Sequence, residues 1–413
     1  MQRLATMTRN TRFAGIAVVY LSALLQGIAL ILFPAAGALF TSPEFHNLSD
    51  GQFGVLFTPQ IIGAIAASMF ASRLVRRFSM QRVFQLGLLA NLLAMLLLAT
   101  SHLVIGTGLP VFLLLLAGTA AVGAGFGLTL TVLNAYAFDL FRNHADAAVT
   151  TLHVLTGSGQ AAAPLLLATF RDAGLWWGAP LVVLVALALM LGIQAPLALR
   201  LSMEGSPLPA TSVANKPCAP PDNRLPPRIW IFGLVVFFYG ASEATFGNWS
   251  TIYLEDNAGL DPALAAQGLA LFWGAVALGR VLFALATIWL RPQVLYPLAP
   301  LLIAASFIVL PLVQGTTASL LVLAVAGLAM SFFFPLSISM ASAEEPDMVD
   351  AVSGTMVAGI QLGIGASALL VGQLTNVLAL PTIFQFSSVY GLLMAALVLY
   401  LVLTRPSPQK EAQ

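Results

Sequence analysis

Long apolar runs separated by short polar punctuation fill the chain from end to end. A membrane-spanning helix needs about 20 mainly apolar residues, and the pattern predicts twelve such spans. In the first half they cover 13–40, 51–72, 82–100, 109–137, 146–170 and 174–199. In the second they cover 229–254, 264–290, 294–313, 318–340, 349–373 and 383–404. Between the sixth and seventh spans the pattern stops. Residues 201–228 are polar and carry Pro207, Pro209, Pro217, Pro220, Pro221, Pro226 and Pro227, which predicts an extended linker. The expected organisation is therefore a six-helix bundle over 1–200, the linker over 201–228, a second six-helix bundle over 229–404, and a tail over 405–413. Arg3, Arg9 and Arg12 precede a first apolar run too long for a signal-peptide core, so that run is expected to stay in the membrane.

Composition agrees with the pattern. Of 413 residues, 59% are hydrophobic and 8% charged, against roughly 25% charged in a soluble domain. A chain so poor in charge must turn most of its exterior to lipid. With the N-terminus placed inside, all 17 Lys and Arg residues except Arg171 and Arg280 fall in cytoplasmic segments. This bias sets the orientation and puts both termini in the cytoplasm. The loops on the other side carry acids instead: Glu44, Asp50, Asp172, Glu255, Asp256 and Asp261.

The two halves share short signatures. DAAVTTLHVLTGSG from Asp146 to Gly159 and DAVSGTMVAGIQLG from Asp350 to Gly363 each place a glycine thirteen residues after an Asp-Ala pair. LSDGQFG from Leu48 and LDPALAAQG from Leu260 each lead into an even-numbered span. Repeats of this kind, with binding at their interface, are a recurring plan in secondary transporters.

Several classes are excluded. A net charge of +1 argues against nucleic acid as a partner, and a single cysteine, Cys218, rules out a cysteine-built metal site. The four histidines have no ligand spacing, and neither a nucleophile elbow nor a phosphate-binding loop is present. No catalytic constellation, metal or cofactor is expected, and any energy must come from ion gradients. Asn47-Leu-Ser49 and Asn248-Trp-Ser250 match the glycosylation pattern, but the short exterior loops point to a bacterial protein and to chance matches.

The loop between the second and third spans reads Ser72-Arg-Leu-Val-Arg-Arg-Phe-Ser79-Met-Gln-Arg82. With its run of basic residues it resembles the Gly-x-Leu-Ala-Asp-Arg-x-Gly-Arg-Arg loop of the major facilitator superfamily. Ser72 and Ser79 stand where its glycines are expected, and Arg76 where its aspartate is expected. GAGFGLTLTVLNAYAFDLF in the fourth span, LHVLTGSGQAAAP in the fifth, YGASEATFGNWSTIYL in the seventh and the Gly279-Arg280 pair in the eighth are similar to the fucose:proton symporter branch. The resemblance implies an all-α fold of twelve transmembrane helices in two six-helix bundles, with 3+3 inverted repeats and alternating access. It further implies proton-coupled uptake of a monosaccharide or related polar solute in the inner membrane. Proton-driven efflux of an amphiphile is the alternative, and a non-transporting sensor or scaffold the rival from another class. The branch carries membrane carboxylates in its first and fourth helices, where Leu30 and Leu130 stand here.

Buried charge in a bilayer costs at least ~2.5–3.5 kcal/mol for Arg, Lys or Asp, so Glu243 and Arg280 near mid-span demand a reason. They are expected to pair, as the proton-coupling site or as a structural ion pair that locks the seventh and eighth spans. His153, Thr156 and Gln160 form an i, i+3, i+7 stripe that is expected to bind substrate or to hydrogen-bond a neighbouring helix. Asn134, Gln26, Gln60, Gln361, Tyr239 and Trp273 complete the expected substrate set, whereas Trp249, near the outer end, is expected to be an interfacial anchor. Arg73, Arg76, Arg77, Arg82, Asp139, Arg142 and Asp146 mark the expected cytoplasmic gating loops. The expected partners are a small-molecule substrate, a proton or another cation, and the lipid bilayer, with the protein monomeric.

Overall fold

The computed structural model describes residues 9–141, 145–194, 225–287, 289 and 295–404. Within them the chain is all helical. The first half comprises α1 (Arg9–Ala35), α2 (Asp50–Phe78), α3 (Met80–Thr100), α4 (Leu109–Leu140), α5 (Ala145–Asp172) and α6 (Gly178–Gln194). The second comprises α7 (Pro227–Ile252), α8 (Pro262–Ala286), α9 (Leu298–Val309), α10 (Thr316–Ser331), α11 (Val349–Leu374) and α12 (Leu380–Leu403). Among the described residues, nine helical stretches are long and apolar enough to cross a membrane, and α6 and α9 are shorter apolar helices. The protein is multi-pass.

Two expected spans are not single helices. The first stops at Ala35, just after Pro34, and resumes as a short turn over Gly37–Thr41. The tenth, expected as continuous over 318–340, breaks at Phe332 and resumes over Phe333–Glu344. The cause is Pro335, which has no N–H for the carbonyl of Ser331 four residues earlier. Even-numbered spans start where the sequence repeat lay. Ser49 caps α2 in a reciprocal box with Gln52, and Asp261 accepts from the backbone N–H of Leu264 at 2.9 Å to cap α8.

Packing repeats with a six-helix offset. α1 lies on α5 as α7 lies on α11, α2 on α4 as α8 on α10, and α3 on α6 as α9 on α12. Glycines set the matching α1–α5 and α7–α11 crossings. A Cβ on Gly159 would stand 2.1 Å from the Leu24 carbonyl, and one on Gly363 would stand 1.9 Å from that of Phe237. The paired glycines of the sequence repeat are therefore points of backbone contact, each pressing the fifth helix of its half on the first. Without a hydrophobic drive inside lipid, such close van der Waals packing holds the bundle together.

The two ends of the bundle differ. At the end where α7 begins and α12 finishes, here the terminal face, Arg228 Nη2 donates to Glu344 Oε1 at 3.1 Å and Nη1 to the Thr404 hydroxyl at 2.6 Å. At the opposite, distal face, His46 is buried in the α1–α2 connection, with Nε2 3.0 Å from the Ser101 hydroxyl. Its ring meets Phe40 and Trp176 edge-on at 5.0 and 5.2 Å.

Candidate functional site

The halves meet through α5 on α8 and α2 on α11. At the distal face the seam is polar and closed. Arg171, at the end of α5, donates from Nη1 and Nη2 to the two carboxylate oxygens of Glu255 beyond α7, at 2.7 and 2.9 Å. The pair is mostly shielded, with side chains 21% and 14% exposed. Just inside it, Phe53 of α2 meets Trp249 of α7 edge-on at 5.1 Å. Trp249 is fully buried, which corrects its expected role as a lipid-interface anchor: its apolar neighbour comes from the other half. A Cβ on Gly54 would stand 2.4 Å from the Ala368 carbonyl, so α2 and α11 also touch backbone to backbone. Nearer mid-membrane the α5–α8 contact is made by small residues, Gly157 against Ala277 and Gly274 against Ala161.

On the terminal side of that contact lie the ionisable residues. Arg280 of α8, Glu243 of α7 and His153 of α5 are all partly exposed. Arg280 acts electrostatically on both Glu243 and His153, so it stands between the halves. It makes no ion-pair contact: among the described residues the salt bridges are Arg171–Glu255 and Arg228–Glu344. Arg280 Nε instead donates to the Ser331 carbonyl at 3.3 Å, at the break in α10. Tyr239 is buried beside Glu243, and its hydroxyl donates to the Met330 carbonyl at 3.2 Å.

The remaining residues singled out in the sequence divide into two groups. Gln26 is buried in an amide pair with Asn91: Asn91 Nδ2 donates to its Oε1 at 2.6 Å, and its Nε2 donates to Asn91 Oδ1 at 3.4 Å. The Thr156 hydroxyl donates to the Leu152 carbonyl of its own helix at 3.0 Å, and its backbone lies against Gly27. By contrast, Gln60 Oε1, Asn134 Oδ1 and Trp273 Nε1 are buried and have no hydrogen-bond partner in the protein. Gln160 and Gln361 are partly exposed. Asn248 Nδ2 and Trp249 Nε1 are also buried without partners, and neither is in the expected substrate set. Asn248 carries one usable signal, a polar residue five positions beyond Glu243 on the same apolar helix.

Arg73, Arg76, Arg77 and Arg82 are exposed around the α2–α3 connection, Arg73 over the Phe70 ring and Arg77 over that of Phe78, each at 5.4 Å. Ser79, between the two helices, has φ 120°, a conformation suited to the glycine that the family places there. The side chains of Asp139 and Asp146, and all of Arg142, lie outside the described residues.

Comparison with known proteins agrees with this architecture. The glucose/mannose transporter GlcP of Bacillus subtilis is 23% identical over 350 residues, covering 81% of each chain. The D-xylose-proton symporter superposes with a TM-score of 0.72 at 15% identity, covering 94% of this chain and 97% of that one. The nucleoside transporter NupG superposes with a TM-score of 0.71 at 12% identity, covering 96% and 100%. The sequence profile described as Major Facilitator Superfamily matches residues 13–345. With that match spanning most of a chain built as two packed six-helix halves, the protein belongs to the Major Facilitator Superfamily of membrane transporters.

Proposed function

We propose that the protein imports a monosaccharide or related polar solute together with a proton, by alternating access across the inner membrane. Its termini are cytoplasmic and its distal face is exterior. The observation that carries this reading is the mid-helix carboxylate Glu243, partly exposed and within electrostatic reach of Arg280 on the neighbouring helix. Intramembrane ionisable residues facing a bundle interior mark ion pathways. Glu243 takes up the proton; Arg280 and His153 tune the site from the facing helices. Gln60, Asn134 and Trp273 carry unpaired polar atoms suited to sugar hydroxyls, with Gln160 and Gln361 beside the seam. Gln26, Thr156 and Tyr239 hold the helices that carry these groups. The exposed arginines Arg73, Arg76, Arg77 and Arg82 line the cytoplasmic approach.

A glucose/mannose transporter among the relatives and a xylose-proton symporter of the same fold support the substrate class and the coupling. Efflux of an amphiphile is the second reading, favoured by the apolar Leu30 and Leu130 at positions where the sugar branch carries acids.

The test is transport in proteoliposomes. Glu243→Gln is expected to abolish proton-driven accumulation while preserving counterflow of labelled solute. Full gradient-driven accumulation by this variant would remove Glu243 from the coupling. Concentration of a hydrophobic cation inside acidified inverted vesicles would favour export.

A further inference from the structure

The break in α10 fixes how Arg280 is presented. Pro335 leaves the Ser331 carbonyl without its helical donor, and an unsatisfied carbonyl at membrane depth is costly because no water is there to bond it. The Ser331 hydroxyl does not help, because it donates to Leu328 at 2.7 Å. Arg280 Nε supplies the missing hydrogen bond. It reaches because the preceding residue is Gly279, where a Cβ would stand only 2.4 Å from Ser331 Oγ. Phe283 of α8, stacked on Phe332 at 4.4 Å, locks the same crossing.

With Nε committed, the forked end of the guanidinium remains. Among the described residues, neither terminal nitrogen finds an acceptor, and no carboxylate lies at ion-pair distance. Glu243 is within electrostatic reach and is the acid on the facing stretch of α7. A partly buried, pre-oriented guanidinium with its fork unfilled matches the geometry of carboxylate recognition.

We infer that the transported solute carries a carboxylate, and that the Arg280 fork binds it at the seam beside Glu243. The inference rests on the proposed symport and names its substrate class: sugar acids in place of neutral hexoses. Charge balance follows directly. When Glu243 is protonated, Arg280 is left uncompensated and attracts the anion; one proton and one carboxylate then cross with no net charge. After release of both, the Glu243 carboxylate and Arg280 again offset each other, which favours return of the empty carrier.

The experiment is counterflow and uptake in proteoliposomes with labelled gluconate, glucuronate and glucose as probes. Exchange of the acids is expected, with proton-driven uptake unchanged when the membrane potential is clamped or reversed. Exchange of glucose but neither acid overturns the inference and leaves the sugar symport standing; exchange of none of the three overturns both. Acid uptake that follows the membrane potential refutes the electroneutral coupling.

Arg280→Gln alone removes the cap on Ser331 and risks misfolding, so the Pro335→Ala background is needed, in which the alanine supplies a backbone N–H for the Ser331 carbonyl. There Arg280→Gln is expected to restore thermal stability but raise the KM for the acids roughly 100-fold. A KM unchanged in that folded double variant would assign Arg280 to the cap alone and overturn the inference.

Discussion

The Arg171–Glu255 pair is the polar latch of the distal face, and its removal has a calculable effect on the closed state. The two residues belong to different halves, so any opening of the seam at this end separates them. Exposed ion pairs contribute about 0.2–1 kcal/mol, whereas charge-assisted bidentate contacts are roughly twice as strong as neutral hydrogen bonds. With side chains 21% and 14% exposed, the pair lies above the exposed range, at about 1–2 kcal/mol. Arg171→Ala also leaves Glu255 shielded without its partner, which adds to the loss in the closed state. At 1.4 kcal/mol per factor of ten, the distally open population is expected to rise about 5- to 30-fold. Spin labels at Thr107→Cys and Gln314→Cys, on exposed distal connections of the two halves and in a Cys218→Ser background, report this as a longer-distance population. The charge-swapped Arg171→Glu, Glu255→Arg variant is expected to return the distribution toward that of the parent. An unchanged distribution in Arg171→Ala would refute the latch.

Three further outcomes are expected. Ser79→Gly relieves a φ of 120° and should raise thermal stability in detergent by about 1 kcal/mol, because glycine forfeits only a few tenths as a helix cap; a loss of stability would contradict the strain. Gly159→Ala and Gly363→Ala each drive a methyl into a backbone carbonyl and should cost about 1–3 kcal/mol, read as a lower melting temperature for both. His46 is buried, so its imidazolium is disfavoured and its pKa falls from 6.5 to about 4, with His102 adding like-charge repulsion. Because the unfolded chain binds the proton first, stability is complete above pH 6.5 and declines as pH falls toward 4, by at most about 3 kcal/mol. His46→Asn should flatten that slope in a melting series.

The spans are legible because apolar run length is a local property of sequence, and the two-half plan because its short repeated signatures are local too; most of the expected linker and the expected tail lie outside the described residues. The glycines at 159 and 363 can be seen to correspond, but their purpose cannot, since each acts on a carbonyl of a distant helix. The break in α10 is written in the sequence as Pro335, yet the apolar run continues through it and masks it. Contacts across the seam are illegible. Arg171 stands out as the one basic residue on its side, yet its partner lies 84 residues away. Trp249 likewise reads as an anchor until Phe53 of the other half is placed against it. Glu243 and Arg280 are conspicuous because charge is rare in such helices. That Nε of Arg280 is occupied by a backbone carbonyl follows only from the three-dimensional crossing of α8 and α10.

The small residues where α5 crosses α8 also bear on speed. Gly157, Ala161, Gly274 and Ala277 offer no side-chain hydrogen bond to break and no long side chain to disengage. Under the proposed alternating access the crossing would serve as a bearing, since rotation there exchanges one set of weak dispersion contacts for another of similar depth. Friction would then be concentrated at the rim, where Arg171 must leave Glu255. Turnover should accordingly track the strength of that rim contact, while the bearing sets only the axis about which the halves turn.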